Sequence, residues 1–147
     1  MNWYKKSQKT NSNLFDIQSP EFKQWFGNSH VVDSQGKPLV TYRGSISGEE
    51  KEFKTRYHYG LWFTPDKNYA SGYGDTSAAY LSVQNPYFLN NEIRKLLMKA
   101  DSKRLVSIQE SLKSYAKEHG HDGIYYPDDG QGGSWVVFSK DQVRKIS

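Results

Sequence analysis

The chain has 147 residues, no cysteine and a formal net charge of +4, so it is long enough for one domain with its own core, and disulfides and thiol chemistry are excluded. The positive charge mildly favours an anionic partner, such as a phosphate-bearing cofactor or nucleic acid, although a solvated lysine-rich surface is the commoner reason for it. No apolar stretch approaches the roughly 18 residues that a membrane span requires, and the N-terminus lacks the apolar core of a secretion signal, so we expect no membrane association.

The N-terminal part predicts a tail followed by a short helix. Residues 1–17 are polar without clear periodicity, and we interpret them as a tail or linker before a domain that spans 18–147. In "SPEFKQWFG", Ser19 is a favourable N-cap and Pro20 fits the first helical turn. Gly27 can end this helix in a left-handed conformation.

The next stretch predicts strands and a second helix. "HVVDSQGKPLVTYRGS" has two apolar runs around a polar turn, which is typical of a β-hairpin, and its second strand ends at Arg43. A charged loop over 47–59 precedes a further strand over 60–64. Thr64 and Pro65 then have the pattern of an N-cap and a first-turn proline, so we expect a helix from there to about residue 73.

The remaining chain predicts helices followed by three short strands. "AAYLSVQNPYFL" is a strand pattern that Asn85-Pro86 interrupts, and 91–119 are helical, with Asp101 capping the second part. "DGIYY", "SWVVFS" and "VRKI" predict the last strands, with a glycine-rich turn between the first two. Strands that are linked by turns favour antiparallel pairing. We therefore predict an α+β fold with a twisted, split antiparallel β-sheet core and flanking helices.

Nothing in the sequence indicates a metal site. The four histidines have no cysteine partners and no H-E-x-x-H spacing. His119 and His121 lie two residues apart beside Gly120, where a surface or capping role is the more common one. We therefore expect no metal cofactor.

The segment "TYRGS" is a candidate ligand-binding motif. Arg43 ends an apolar strand, and its planar guanidinium suits phosphate or ribose oxygens. Gly44 has no side chain, so a ligand with an amide group could approach its main chain. An ordinary turn with an exposed arginine would give the same pattern.

The segment "GLWFTPDKNYASGYG" raises the possibility of an aromatic slot. Side chains alternate along a strand, so Trp62 and Phe63 face opposite ways, and one of them can border a cleft. A flat ligand between Trp62 and Tyr73 would gain about 0.5–1.5 kcal/mol per stacked face beyond burial. Two aromatic residues at a strand–helix junction are, however, also common in cores.

Three separated motifs together resemble the ADP-ribosyltransferase fold. "WFGNSHVVDSQGKPLVTYRGS", "GLWFTPDKNYASGYG" and "DGIYY…WVVFSKDQV" occur in the order seen in the small ADP-ribosyltransferase-like domains of phage polyvalent proteins. The resemblance extends from about residue 19 to the end of the chain. The catalytic domains of poly(ADP-ribose) polymerases share the middle and last motifs and are more distantly similar.

The resemblance implies an NAD site. Arg43 would contact the ribose or phosphate, the main chain of Gly44 would hold the nicotinamide carboxamide, and Tyr73 would stack on the nicotinamide ring. Trp62 takes the place of the strand tyrosine of the family. Ala70 stands where the polymerases have a serine, and Ser71 is one residue away. The residues that we assign to NAD binding are Arg43, Gly44, Ser45, Trp62, Phe63, Ser71 and Tyr73.

The chain departs from the family at the catalytic glutamate. In "SWVVFSKDQV", Ser134 occupies the place of that glutamate, which stabilises the oxocarbenium-like ribose and binds its 2′-hydroxyl. A serine can bind the hydroxyl but supplies no negative charge. Asp128 or Asp129 on the preceding loop could supply it, and Gln131 could orient an acceptor. Our catalytic candidates are therefore Arg43, Ser134, Asp129 and Gln131.

Three functions remain open at this point. The first is an NAD-dependent mono-ADP-ribosyltransferase that modifies an unidentified protein or nucleic acid. The second is a catalytically inactive protein of the same fold that binds NAD, ADP-ribose or a protein. The third is a basic nucleic-acid-binding module, although no stripe of interleaved basic and aromatic residues favours it. We expect a monomer in the cytoplasm, which is that of the host cell if a phage encodes the protein.

Overall fold

A computed structural model describes residues 16–45, 60–127 and 132–146 of the protein. The helices are α1 (Pro20–Phe26), α2 (Lys67–Ser71), α3 (Asn91–Lys99) and α4 (Ser102–Glu118). The strands are β1 (Thr41–Ser45), β2 (Leu61–Phe63), β3 (Asp75–Leu81), β4 (Pro86–Phe88), β5 (Gly123–Tyr126), β6 (Ser134–Val137) and β7 (Val143–Lys145). Short 3-10 helices cover Asp16–Gln18 and Lys140–Gln142. Within the described ranges, no helix is both long and apolar enough to cross a bilayer.

The strands form two sheets, in the orders β1-β3-β7 and β2-β6-β5-β4. The α+β class and the split sheet are as the sequence predicts. One pair departs from the predicted antiparallel arrangement, because β4 and β5 run parallel. The two helices α3 and α4 lie between these strands in the chain, and a helical crossover returns the chain in the same direction.

Within the described ranges, a single bridge joins the two sheets. Tyr42 of β1 exchanges backbone hydrogen bonds with Thr64, at N···O distances of 2.7 and 2.9 Å. Paired residues project their side chains from the same face, so Tyr42 and Thr64 share a face with Trp62, which lies two residues before Thr64. We call this the outer face. Arg43 alternates with Tyr42 and lies on the opposite, inner face.

Three apolar clusters hold the fold together. The inner faces of both sheets meet in one cluster, which includes Leu61 and Phe63 of β2 and Leu81 of β3. On the outer face, α3 and α4 cover the sheet of β5 and β6 in a second cluster. A third cluster packs α1 against β3 through Phe22 and Tyr80. The inner cluster therefore fixes the two sheets relative to each other, although only one bridge connects their backbones in the part of the chain that the structure describes.

The predicted caps of α1 and α4 are confirmed. The N–H of Phe22 donates to the Ser19 hydroxyl at 3.1 Å, and Gly27 ends α1 with a φ of 53°. The N–H of Arg104 donates to the Asp101 carboxylate at 2.9 Å. These helix ends are set by local hydrogen bonds that the sequence specifies directly.

The predicted hairpin is confirmed only in a minimal form. Its two apolar runs meet at one antiparallel bridge between Val32 and Pro38, flanked by the hydrogen bond from the Leu39 N–H to the Val31 carbonyl. The remainder of the second run pairs with β3, where Arg43 lies opposite Ser77. The predicted turn is confirmed, because the Asp33 carboxylate accepts the N–H groups of Gln35 and Lys37. Long-range pairing with a buried strand has overridden the local pattern.

The predicted N-cap of α2 is also wrong. Thr64 is in the bridge to β1, and Asp66 caps the helix by accepting the N–H of Tyr69 at 3.1 Å. The Thr64 hydroxyl accepts the N–H of Asp66 at 3.1 Å, so it supports the turn that leads into the helix. The helix starts later and ends at Ser71, earlier than residue 73.

Gln142 clamps the ends of three strands. Its Nε2 donates to the carbonyls of Ser82 and Asp122 at 3.1 and 2.6 Å. Its Oε1 accepts the N–H groups of Phe138 and Ser139, both at 3.0 Å. One side chain thus satisfies four main-chain groups that follow β3, precede β5 and follow β6.

Gln142→Ala should lower the free energy of unfolding by about 2–4 kcal/mol, because four partly buried main-chain groups lose a partner. Chemical denaturation measures this change. Gln35→Ala is the control, since the Gln35 side chain is exposed and its removal should change stability by less than about 0.5 kcal/mol. Equal effects of the two substitutions would contradict the clamp.

Candidate functional site

The candidate site lies where β1 and β2 separate. The antiparallel register of Tyr42 with Thr64 would place Gly44 opposite Trp62 if pairing continued. Within the described residues this pairing stops at the one bridge. Alternate residues of a strand direct their main-chain groups to the same edge, so the N–H and C=O of Gly44 point into the gap. The gap therefore offers a main-chain donor and acceptor to a ligand.

Helix α2 lies against the outer face of β1 at Gly44. A Cβ atom built on Gly44 would overlap the carbonyl oxygen of Ala70 and would lie 2.9 Å from its carbonyl carbon. Only glycine therefore allows α2 to lie this close to β1. Lys67 of α2 adds a cation–π contact, with Nζ 6.0 Å from the centre of the Tyr42 ring.

Tyr73 lies beside Gly44. The same hypothetical Cβ would be 3.2 Å from the Cβ of Tyr73, and the N–H of Tyr73 donates to the Ala70 carbonyl at 3.0 Å. The Tyr73 side chain is 61% exposed. Its ring meets the Tyr69 ring edge-to-face at 5.5 Å, and the two hydroxyls are 3.0 Å apart. The structure thus brings together two residues, Gly44 and Tyr73, from separate predicted motifs.

Arg43 precedes Gly44 and lies on the inner face of β1. Only 9% of the residue is exposed, and it shares this face with Thr41 and with Ser77 of β3. The alternative of an exposed arginine in a turn is therefore wrong. A guanidinium this deeply buried is costly unless it is paired or hydrogen-bonded, and the role of Arg43 in NAD binding remains a prediction.

Trp62 and Phe63 face opposite ways, as the alternation predicts. Phe63 is 2% exposed and packs in the inner cluster, so the structure gives this ring a packing role. Trp62 is partly buried on the outer face, with its ring 4.6 Å from that of Tyr126. Trp62 and Tyr73 thus lie beside different strands of the gap, and each packs against another ring, Tyr126 and Tyr69 respectively. A ligand between Trp62 and Tyr73 remains a prediction.

Two of the residues predicted to bind NAD are serines, Ser71 in α2 and Ser45 at the end of β1. The Ser71 hydroxyl is exposed and donates to the Asn68 carbonyl at 2.7 Å, within α2 itself. Ser45 ends β1 opposite Asp75. The roles of both residues in NAD binding remain predictions.

Ser134 begins β6 on the outer face. Ser134 pairs with Tyr126, and the Tyr126 ring contacts Trp62. Ser134 itself is 4% exposed. Gly133, with a φ of 91°, fixes the start of this strand, because a Cβ atom there would overlap the ring and hydroxyl of Tyr125. The position assigned to the catalytic glutamate is thus occupied by a short side chain, on the strand next to β2.

The other predicted catalytic residues, and one predicted loop, lie outside the described residues. They are Asp128, Asp129 and Gln131, together with the charged loop over 47–59. Arg94 of α3 donates to the carbonyl of Pro127 at 3.3 Å, just before the segment that holds the two aspartates. Within the described ranges, no group of three or more histidine, aspartate or glutamate residues could hold a metal ion.

Two features of the site were not found in the sequence. The close contact of the Ala70 carbonyl with Gly44 is a tertiary contact that no local pattern encodes. The pairing of Tyr69 with Tyr73 has a sequence signal, since residues four apart are neighbours on a helix, but the predicted motif included only Tyr73.

The sequence and the fold were compared with those of known proteins. The family model described as "ADP-Ribosyltransferase in polyvalent proteins" matches residues 33–147. No curated protein matches the sequence significantly. Among solved structures, a crystal structure of an anti-CRISPR protein is similar, with 16% identity and a TM-score of 0.48 over 73% of this chain and 94% of that chain.

The family match covers most of the chain and includes every residue that we assign to the site. It also confirms the resemblance to the ADP-ribosyltransferase-like domains of phage polyvalent proteins. The chain belongs to the family of ADP-ribosyltransferase domains found in polyvalent proteins.

Proposed function

We propose that the protein is an NAD-dependent mono-ADP-ribosyltransferase, which transfers ADP-ribose to a macromolecule and releases nicotinamide. The observation that carries this proposal is the gap beside Gly44, with Tyr73 next to it and Trp62 on the opposite strand. The family supplies the type of reaction, and the gap supplies a site of matching chemistry. The acceptor is an unidentified protein or nucleic acid.

The nicotinamide end of NAD has polar groups and a flat ring that match the groups beside the gap. Its carboxamide has one acceptor and one donor group, which match the N–H and C=O of Gly44. Its flat ring offers a face to the exposed Tyr73 ring, and stacking on an aromatic face contributes about 0.5–1.5 kcal/mol. A pyridinium ring carries positive charge, so stacking on tyrosine also gains a cation–π attraction.

The ribose and phosphate groups would lie toward Arg43. Hydrogen bonds from a charged donor to phosphate are about twice as strong as neutral ones, and a buried guanidinium is screened little by water. Cleavage of the bond between nicotinamide and ribose leaves positive charge on the ribose, which a carboxylate would stabilise. In this chain either Asp128 or Asp129 is the candidate for that carboxylate, while Ser134 binds the 2′-hydroxyl.

A second candidate function is NAD or ADP-ribose binding without turnover. Ser134 favours it, because a buried hydroxyl at the start of β6 carries no charge. General acid–base assistance typically contributes a factor of about 10²–10⁴ to rate, so its loss alone could make transfer very slow. The two candidates share the same site and differ only in catalysis.

The decisive assay measures nicotinamide release from NAD by the purified protein. Release above the background rate supports the transferase, and NAD binding without release supports the binding protein. Failure to bind NAD, with salt-sensitive binding to an oligonucleotide, would support a nucleic-acid-binding module instead.

Gly44→Ala should reduce NAD affinity at least about tenfold, because the added methyl group displaces the Ala70 carbonyl and with it Tyr73. Crowding of this kind also lowers stability by about 1–3 kcal/mol. Calorimetric titration with NAD and thermal unfolding measure the two effects. Gly72→Ala is the stability control, because the backbone of Gly72 is α-helical and an added Cβ would be in tight contact with one atom only, the Tyr69 carbonyl oxygen at 3.3 Å. Unchanged NAD affinity in Gly44→Ala would contradict the site.

Arg43→Lys should weaken NAD binding about tenfold, because lysine keeps the charge but loses the planar fork that grips two oxygens. Calorimetric titration again measures the affinity. Arg144→Lys is the matched control. Arg144 lies on β7, away from the gap, and its guanidinium stacks on the Trp25 ring of α1. Equal affinities of the wild type and Arg43→Lys would remove Arg43 from the site.

Ser134→Glu should accelerate nicotinamide release by a factor of about 10²–10⁴, because it returns a carboxylate to the ribose. Ser134→Gln has the same size without the charge and should give no acceleration. A Ser134→Glu protein that folds and binds NAD without faster release would contradict the assignment of residue 134 to the ribose.

A further inference from the structure

We propose that Tyr69 is a positioning residue that holds the Tyr73 ring ready to receive the nicotinamide ring. This inference rests on the proposed function and deepens it, because it concerns how the same site is prepared before NAD binds. Neither the family assignment nor the sequence motifs assign a role to Tyr69.

The main chain of Tyr73 is fixed by the contact between α2 and β1. Its N–H donates to the Ala70 carbonyl, and that same carbonyl lies against Gly44. The position of Cα and Cβ of Tyr73 relative to Gly44 is therefore set by packing. This anchor leaves the side-chain torsions undetermined.

The side chain of Tyr73 would be mobile without a further contact. It is 61% exposed, and an exposed tyrosine normally samples several rotamers. Only a subset of those rotamers would place the ring over the gap. Selecting one of them at the moment of binding would reduce the affinity for a ligand that stacks on the ring.

Tyr69 supplies that contact. Its hydroxyl is 3.0 Å from the Tyr73 hydroxyl, and the two rings meet edge-to-face at 5.5 Å with an interplanar angle of 63°. An edge-to-face contact uses the edge of one ring and leaves a face of the other available. The main chain of Tyr69 is fixed in α2, where its N–H donates to the Asp66 carboxylate. The Tyr69 side chain thus connects the exposed Tyr73 ring to the helix.

The contact between Tyr69 and Tyr73 is not explained by stability. Both tyrosines are largely exposed, at 42% and 61%, where each hydroxyl could bond to water instead. A surface hydrogen bond between two neutral groups adds little to stability. Its specific effect is to define the orientation of Tyr73, which matters only if something binds to that ring.

Calorimetric titration of the full chain with NAD tests the inference. Tyr69→Phe keeps the ring and removes the hydroxyl, and we expect it to weaken NAD binding roughly 2- to 10-fold. Tyr73→Phe breaks the same hydrogen bond from the other side, so we expect a similar loss. The double variant should be no weaker than either single one, because both substitutions remove one shared interaction.

Three controls separate positioning from a structural effect. Thermal unfolding of Tyr69→Phe should match that of the wild type. Tyr115→Phe removes the hydroxyl of another exposed tyrosine, on α4, and should leave NAD affinity unchanged. If the protein releases nicotinamide, KM for NAD should rise in Tyr69→Phe while kcat stays constant.

The outcomes distinguish this inference from the proposed function. If the wild type binds NAD and Tyr69→Phe binds it equally well, the positioning role is overturned and the NAD site stands. Additive effects of the two substitutions would also overturn it, since they would show that the hydroxyls act separately. If the wild type does not bind NAD, the proposed function fails and the positioning role fails with it.

Discussion

The site depends on one steric constraint: the Ala70 carbonyl occupies the volume that a side chain on residue 44 would fill. This contact places α2 against β1, and it brings Tyr73 beside the main chain of Gly44. It also explains why a strand in the middle of the chain carries a glycine, which is normally unfavourable there. Any side chain at this position would move the helix and the aromatic ring together.

The gap itself exists because the sheets separate while their inner faces remain packed. Among the described residues, one bridge, between Tyr42 and Thr64, connects the two sheets, and beyond it the main-chain groups of Gly44 point away from β3. An open strand edge is usually a liability that proteins cover. Here the inner apolar cluster stabilises the split, and α2 lies against the outer face of β1. We propose that an amide-bearing ligand pairs with the edge that is left.

The sequence predicted the features that local chemistry determines. The caps at Ser19 and Asp101 follow from hydrogen bonds within one turn, and the opposite facing of Trp62 and Phe63 follows from strand alternation. Long-range strand pairing determined the features that the sequence did not predict. The second run of the predicted hairpin pairs with β3, and Thr64 pairs with β1 instead of capping α2. In the candidate site, the motifs identified Gly44 and Tyr73, but the Ala70 carbonyl that joins them is a main-chain atom without a sequence signal.

A crystal structure of the protein with NAD would test the central claim most directly. The account predicts that the carboxamide of NAD pairs with the N–H and C=O of Gly44 and that the nicotinamide ring lies on Tyr73. It also predicts that Arg43 contacts the ribose or a phosphate, and that the group nearest the ribose 2′-hydroxyl is Ser134 or an aspartate of the preceding loop. NAD bound elsewhere on the protein, with the gap beside Gly44 empty, would contradict it.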